Sequence, residues 1–289
     1  MEKEIEKEYF DKVEKILEMF PEECRKNYYE NKKTLKVAFK DDKNLFHKGE
    51  YNDVTNKIYL GNDKEVFYHE IFHMAFNDRK KLNQLVGSFN DKKYYYSNGI
   101  SFKINDKHFG YALTEGFVEY LARKISNIKG QRYNYFFANL LISIYGEEII
   151  EYALKNDPIE FYDDPRFKNI VEYATCLDTL YEAVRNINFI SESYKLGILR
   201  ESKEKQHKEI LLSYKNLINS TKKELSYSIT NLCKLIIDEF NYYKNPKITF
   251  QELKNKVKEL FKNPEYSMLL NLVEEEEYLE WAEIISKNK

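Results

Sequence analysis

Two histidines and a glutamate within five residues have the side chains that metal-dependent hydrolysis requires. The segment reads His69-Glu70-Ile71-Phe72-His73, which matches the pattern H-E-x-x-H. On an α-helix, residues four apart lie on the same face, so His69 and His73 can close on one metal ion. Glu70 faces the same opening, where it can take a proton from a water molecule that the metal activates. The segment therefore predicts a metal site with its own general base.

The residues around the motif are apolar on both sides. Val66-Phe67-Tyr68 precedes it and Met74-Ala75-Phe76 follows it. This pattern predicts a mostly buried helix, in which an unpaired imidazole is costly. Two other interpretations stay open: hydrogen bonding of both histidines inside an ordinary core, and a purely structural metal. Structural sites usually take four protein ligands, often with cysteine, and no cysteine lies near this motif.

Glu115 and Glu119 are the downstream candidates for a third ligand. They lie four apart in a segment where Leu113, Phe117 and Leu121 form an apolar stripe, which predicts a second helix. A carboxylate beside an apolar stripe is costly to bury unless it is paired or bound to a metal. The alternative is an amphipathic helix with a solvated acidic edge.

Together, the two segments resemble the gluzincins, zinc metallopeptidases with thermolysin-like and aminopeptidase-like members. Thr114-Glu115-Gly116-Phe117 resembles the asparagine-glutamate-glycine-phenylalanine stretch of the aminopeptidase type, with Thr114 in place of the usual asparagine. The resemblance covers residues 50–125. It implies one Zn²⁺ per chain held by His69, His73 and Glu115, with Glu70 as general base. It also implies that Glu119 orients His69, because a ligand imidazole usually donates its other N–H to a carboxylate or carbonyl.

The resemblance further implies a donor that stabilises the developing negative charge. Gluzincins generally use a Tyr or His from a later helix for this purpose. Tyr173 and Tyr181, on a helix predicted over 170–187, are the candidates, and Tyr111 is a third. The chain has 25 tyrosines, so each candidate also has the alternative interpretation of a packed core residue.

Two strands are predicted upstream of the motif helix. One covers 54–60, and the other covers 35–40 through its period-two alternation. Gluzincin-like folds keep an edge strand just before this helix, and an extended peptide can add to such an edge through main-chain hydrogen bonds. We therefore expect Ile58, Tyr59 and Leu60 to flank a substrate cleft. The alternative is that they form an ordinary sheet interior.

The distribution of glycine indicates a division of the chain. Eight of nine glycines lie at or before Gly146. We predict an α+β fold with a zincin-like catalytic core over 1–125, which contains a small mixed sheet and helices near 64–77 and 112–126. A mostly helical lobe over 126–289 would complete the cleft. Residues 77–110 are predicted as a loop, and 202–243 as one long helix or a tight hairpin of two.

Charge and composition narrow the range of partners. The net charge is −2 with no basic block, so no nucleic-acid partner is expected. No uncharged apolar run reaches the ~18 residues of a membrane span. The N-terminal segment lacks a signal-peptide core, and three scattered cysteines fit a reducing compartment. These features predict a cytoplasmic protein that acts on a peptide or protein substrate, with secretion by a route without a signal peptide left open.

The leading hypothesis is a zinc-dependent metallopeptidase. One alternative is a non-enzymatic zincin-like binding or regulatory module, although metal retention alone does not require Glu70. A further alternative is a hydrolase like peptide deformylase, which also uses H-E-x-x-H but takes an upstream cysteine as third ligand. Cys24 is the upstream cysteine, in a charged, helical-looking context.

Overall fold

The chain folds into helices and two small sheets. A computed structural model describes residues 7–39, 49–61, 66–89, 92–104, 107–126, 133–155, 158–195 and 204–262. The contacts divide the chain into two compact units. The first comprises Met1–Lys168 and Tyr243–Lys247, and the second comprises Asn169–Tyr242 and Ile248–Lys289. The prediction of a mixed α+β protein is confirmed at this level, while a zincin-like core stays a prediction.

A three-stranded sheet comes before the motif helix. Its strands are β1 (Lys36–Phe39), β2 (Gly49–Asn52) and β3 (Lys57–Leu60), in the order β1-β3-β2. β3 pairs in parallel with β1 and antiparallel with β2. The prediction that Ile58, Tyr59 and Leu60 form an edge strand is therefore wrong, because both sides of β3 are paired. The edge next to the motif helix is β2, whose polar residues gave no strand pattern.

A four-stranded antiparallel sheet occupies most of the segment that the sequence predicted as a loop. Its strands are β4 (Leu85–Phe89), β5 (Lys92–Asn98), β6 (Ser101–Ile104) and β7 (Lys107–Phe109), paired in chain order. Tyr94 packs edge-on against Phe102 across two neighbouring strands. Aromatic cross-strand packing of this kind stabilises a sheet, so this part of the chain is a structured insertion between the two predicted site helices.

The other regular elements described in the first unit are helices. The motif helix α3 (Val66–Phe76) contacts α2, α4, β2 and β3. All 11 of its residues are buried as a result. α4 also packs on α5, so the first unit continues past the predicted boundary at 125. The bounds of the remaining helices are α1 (Lys7–Leu17), α2 (Glu22–Lys32), α4 (Tyr111–Arg123), α5 (Tyr133–Tyr145), α6 (Glu148–Lys155) and α7 (Pro158–Tyr162).

The described part of the second unit is helical. It contains α8 (Ile170–Lys195), α9 (Glu204–Tyr242) and α10 (Phe250–Lys262). α9 is one helix of 39 residues rather than a hairpin. Its buried positions Leu225, Ile229, Leu232 and Ile236 follow helical spacing. Within the ranges the structure describes, no helix has the length and apolar character that crossing a membrane requires.

Candidate metal centre

The two motif histidines face one another on α3. Their ring centroids are 4.7 Å apart, and the two Nε2 atoms are 3.0 Å apart. Helical geometry places residues four apart on one face, and burial of the whole helix leaves both rings little room to turn. Both imidazoles are thus held with the same nitrogen pointing to a shared position.

α4 brings a carboxylate to this position. The Glu115 Oε2 atom lies 3.3 Å from Nε2 of His69, and Oε1 lies 3.1 Å from Nε2 of His73. Gly116 allows α4 to sit close to α5, since a Cβ there would lie 2.5 Å from Cβ of Ala138 and 2.6 Å from the carbonyl oxygen of Asn134. The glycine that follows Glu115 therefore has a packing reason.

The three side chains fit the donor set of a zinc ion. Their ligand atoms all lie within 4.8 Å of one another, and all three residues are buried. Tetrahedral coordination with bonds of about 2.0–2.1 Å separates two ligand atoms by about 3.4 Å. The separations of 3.0, 3.1 and 3.3 Å are close to this value. Two imidazoles and one carboxylate are also ligands that zinc prefers.

The charge state of Glu115 follows from its neighbours. Burial by itself would raise the pKa of this carboxyl group, because desolvation penalises the charged form. The charge of His73 and hydrogen bonds with both imidazoles outweigh burial and hold the pKa of Glu115 well below its usual range. Glu115 is therefore a carboxylate near neutral pH, the form that binds a metal.

Glu119 lies one turn further along α4 and contacts the far side of His69. Its Oε2 atom is 3.0 Å from Nδ1 of His69, and Arg123 donates from Nε to its Oε1 atom over 3.0 Å. A carboxylate at this position keeps a proton on Nδ1 of His69, so Nε2 is the nitrogen that would give up its proton to bind a metal. The predicted partner of His69 is therefore in contact with it.

Glu70 contacts the edge strand β2. Its Oε2 atom accepts a hydrogen bond of 2.8 Å from the backbone N–H of Tyr51. The side chain of Glu70 is buried, and a backbone donor of this kind fixes one oxygen of a carboxylate while leaving the other available.

A buried polar network holds Tyr51 in place. Its hydroxyl donates to Oδ1 of Asn56 over 3.0 Å, and burial raises its pKa to about 12. Asn56 in turn donates to the carbonyl oxygen of Asn31 over 2.7 Å. Asn31 donates to the carbonyl oxygens of Met74 and Asn77 over 3.0 and 2.8 Å. These last bonds reach carbonyls at and just beyond the C-terminal end of α3, so the network links α2, β2 and α3.

Tyr173 and Tyr181 lie on α8, in the second unit. Tyr173 is fully buried, and burial raises its pKa well above the ordinary value. Tyr181 is half-buried. Their role as donors stays a prediction.

Cys24 is not part of the cluster of His69, His73 and Glu115. Its thiol is buried on α2 and donates to the carbonyl oxygen of Glu151 over 3.7 Å. Burial raises the pKa of this thiol to about 11, which disfavours the thiolate that a metal binds. Glu115 occupies the third position in the cluster, so the arrangement of peptide deformylase is absent from this site.

Two further residues contact the site without having been predicted from the sequence. Arg123 could have been found, because it lies four residues after Glu119 on a predicted helix, a spacing that favours ion pairs. Tyr51 had no such signal, since its contact with Glu70 depends on the placement of β2 against α3.

The comparisons with known proteins add no family to this description. No protein-family model, no curated protein and no solved structure matches the chain.

Proposed function

We propose that the protein is a zinc-dependent metallopeptidase of the gluzincin type. The supporting observation is the buried convergence of His69, His73 and Glu115, with Glu70 adjacent to His69 on the same helix. A purely structural role for three metal donors would not require Glu70, whereas hydrolysis needs a general base.

The charges of the site support a divalent cation. Three carboxylates, those of Glu70, Glu115 and Glu119, are buried on α3 and α4. Arg123 forms an ion pair with Glu119. Buried carboxylates are costly unless they are paired or bound to a metal, so a cation held by the two histidines and Glu115 would stabilise this part of the fold.

The reaction would be hydrolysis of a peptide bond. When bound, a zinc ion polarises the scissile carbonyl and lowers the pKa of water to about 7. Glu70 would take the proton from the attacking water and then donate it to the leaving amine. Tyr51 holds Glu70 through its backbone N–H, so the carboxylate is oriented before the substrate arrives.

The substrate would lie along β2 rather than β3. β2 is at the end of the strand order, and its Tyr51 N–H points away from β3 toward Glu70. Because Glu70 already accepts from the Tyr51 N–H, an extended peptide would pair with the remaining main-chain groups of this edge, which would place its backbone beside the general base. We therefore transfer the role predicted for Ile58, Tyr59 and Leu60 to Gly49–Asn52.

The test compares the wild type with Glu70→Gln. Both proteins are offered zinc, and we expect about one zinc ion per chain in each, measured by mass spectrometry, because Glu70 is not a ligand. A peptide library is then digested and its products identified. We expect cleavage by the wild type that chelation removes and zinc restores, and a loss of about 10²–10⁴-fold in Glu70→Gln. Glu160→Gln, an exposed change on α7 outside the proposed substrate edge, is the matched control.

The other outcomes separate the hypotheses. Full activity in Glu70→Gln would overturn the mechanism. One zinc per chain in the wild type without cleavage of any peptide would favour the non-enzymatic binding module. Absence of zinc from a wild type supplied with it would overturn the metal site itself.

A further inference from the structure

We propose that Arg123 is a positioning residue of the metal site, which orients the Glu119 carboxylate so that His69 presents Nε2 to the metal. This inference rests on the metal site of the proposed function, but it does not depend on peptidase activity. The two contacts that support it use different oxygens of one carboxylate. Arg123 donates to Oε1 of Glu119 over 3.0 Å, while Oε2 lies 3.0 Å from Nδ1 of His69.

A glutamate carboxylate does not orient itself. Its terminal torsion is broad and roughly two-fold, so its partners must set the plane of the two oxygens. The Glu119 side chain is 2% exposed, so solvent contributes little to this choice. With Arg123 fixed on one oxygen, the other oxygen is directed to His69.

The guanidinium is itself held by another helix. Its central carbon lies 4.0 Å from the ring centroid of Tyr135 on α5, and the Arg123 side chain is 18% exposed. Tyr135 stacks in turn on Tyr120 of α4 at 6.4 Å. A planar guanidinium stacked on an aromatic face keeps its N–H groups in a fixed direction. The packing of α5 on α4 therefore fixes Arg123, which orients the Glu119 carboxylate and, through it, the ring of His69.

Lys124 provides a matched comparison for Arg123. It is the next residue on the chain, pairs with Glu147 and lies over the ring of Tyr120. Replacing Lys124 by a neutral residue therefore removes one positive charge and one ion pair from the same end of α4. Among the residues that the structure describes, its contacts are with Glu147 and Tyr120 rather than with the carboxylate that faces His69. If Arg123 orients Glu119, substitutions of Arg123 and Lys124 should change zinc affinity by different amounts. If only positive charge near the site matters, the two substitutions should change it by similar amounts.

The experiment measures zinc affinity by competition with a chromophoric chelator in the full-length protein. Outer partners of ligand histidines typically change metal affinity by about 10–100-fold. We expect Glu119→Gln to weaken zinc binding within this range, Arg123→Gln to weaken it by about 10-fold, and Lys124→Gln to leave it unchanged. In a Glu119→Gln background, Arg123→Gln should have little further effect, because the orienting path through Glu119 is already lost.

Each result decides the inference. Wild-type zinc affinity in Arg123→Gln would overturn it while leaving the metal site standing, as would an undiminished effect of Arg123→Gln in the Glu119→Gln background. Failure of the wild type to bind zinc would overturn the proposed function and this inference together. If Arg123→Gln does not fold, Arg123→Lys replaces it: intermediate affinity supports orientation by the planar group, and wild-type affinity shows that charge alone suffices and refutes it.

Discussion

Replacing Gly49 by alanine should disturb the contact between the edge strand β2 and Glu70, the proposed general base. A Cβ at Gly49 would lie 2.5 Å from Cγ1 of Val66 and 3.3 Å from Cγ of Glu70. Carbon atoms normally pack at about 3.5–4.0 Å. Val66 is β-branched and on a helix, where one rotamer dominates, so it cannot easily turn away. β2 would have to move from α3 by about 1 Å to restore ordinary contact.

The size of the effect follows from this displacement. The hydrogen bond from Tyr51 N–H to Glu70 is 2.8 Å long and would be lost after a shift of about 1 Å. Overpacking costs about 1–3 kcal/mol, and a hydrogen bond to a charged group contributes about 1.5–3 kcal/mol. Alanine also lowers the backbone entropy of the unfolded chain, which stabilises the folded protein by about 0.4–1 kcal/mol and offsets part of this loss. We expect the free energy of unfolding to fall by about 1.5–5.5 kcal/mol.

The assay is guanidinium denaturation followed by circular dichroism, on the metal-free protein. Gly49→Ala, Val66→Ala and the double variant complete a thermodynamic cycle. Val66→Ala removes the methyl group that the new Cβ would meet, so the double variant should be more stable than the sum of the single changes by about 1 kcal/mol or more. Wild-type stability of Gly49→Ala, or a cycle additive within about 0.5 kcal/mol, would refute the close packing of β2 on α3.

Two further predictions concern residues away from the metal donors. Asn56 is buried with a φ of 51° and donates to the Asn31 carbonyl, so Asn56→Ala should lower the free energy of unfolding by about 2–4 kcal/mol. Asn56→Gly should lower it by about 1 kcal/mol less, because glycine adopts this φ without strain. Equal losses of stability in the two variants would show that backbone strain does not contribute. The thiol of Cys24 is buried with a pKa raised to about 11, so alkylation in the native protein should be limited by unfolding. Rapid native labelling, read by mass spectrometry, would disprove that burial.

The residues of the candidate metal site could be found from spacing because α-helical geometry is local. His69 and His73 are four residues apart, as are Glu115 and Glu119, and each pair shares a helix face wherever the helix lies. The helices predicted near 64–77 and 112–126 correspond to Val66–Phe76 and Tyr111–Arg123. Their strong apolar patterns made these elements readable without knowledge of the fold.

Strand partners could not be found in this way. Ile58, Tyr59 and Leu60 have an alternating pattern that is compatible with an edge or a central strand, and pairing alone distinguishes the two. Gly49–Asn52 has a polar sequence with no alternation of the usual kind, yet it forms the edge beside Glu70. Residues 77–110 are predicted as a loop, yet most of this segment forms the sheet β4–β7. Its strands are stabilised by aromatic contacts between neighbouring strands, and such contacts depend on strand pairing that the local sequence does not specify.

The orientation of the site depends on contacts distant in sequence. Tyr51 reaches Glu70 across 19 positions, and His69 reaches Glu119 across 50. No local propensity specifies such pairs, since they arise from the close approach of α3, α4 and β2. Residue types and helical spacing are properties of the sequence and could be predicted from it. The direction of each carboxylate is a property of packing, because its partners come from elements that meet only in the folded protein.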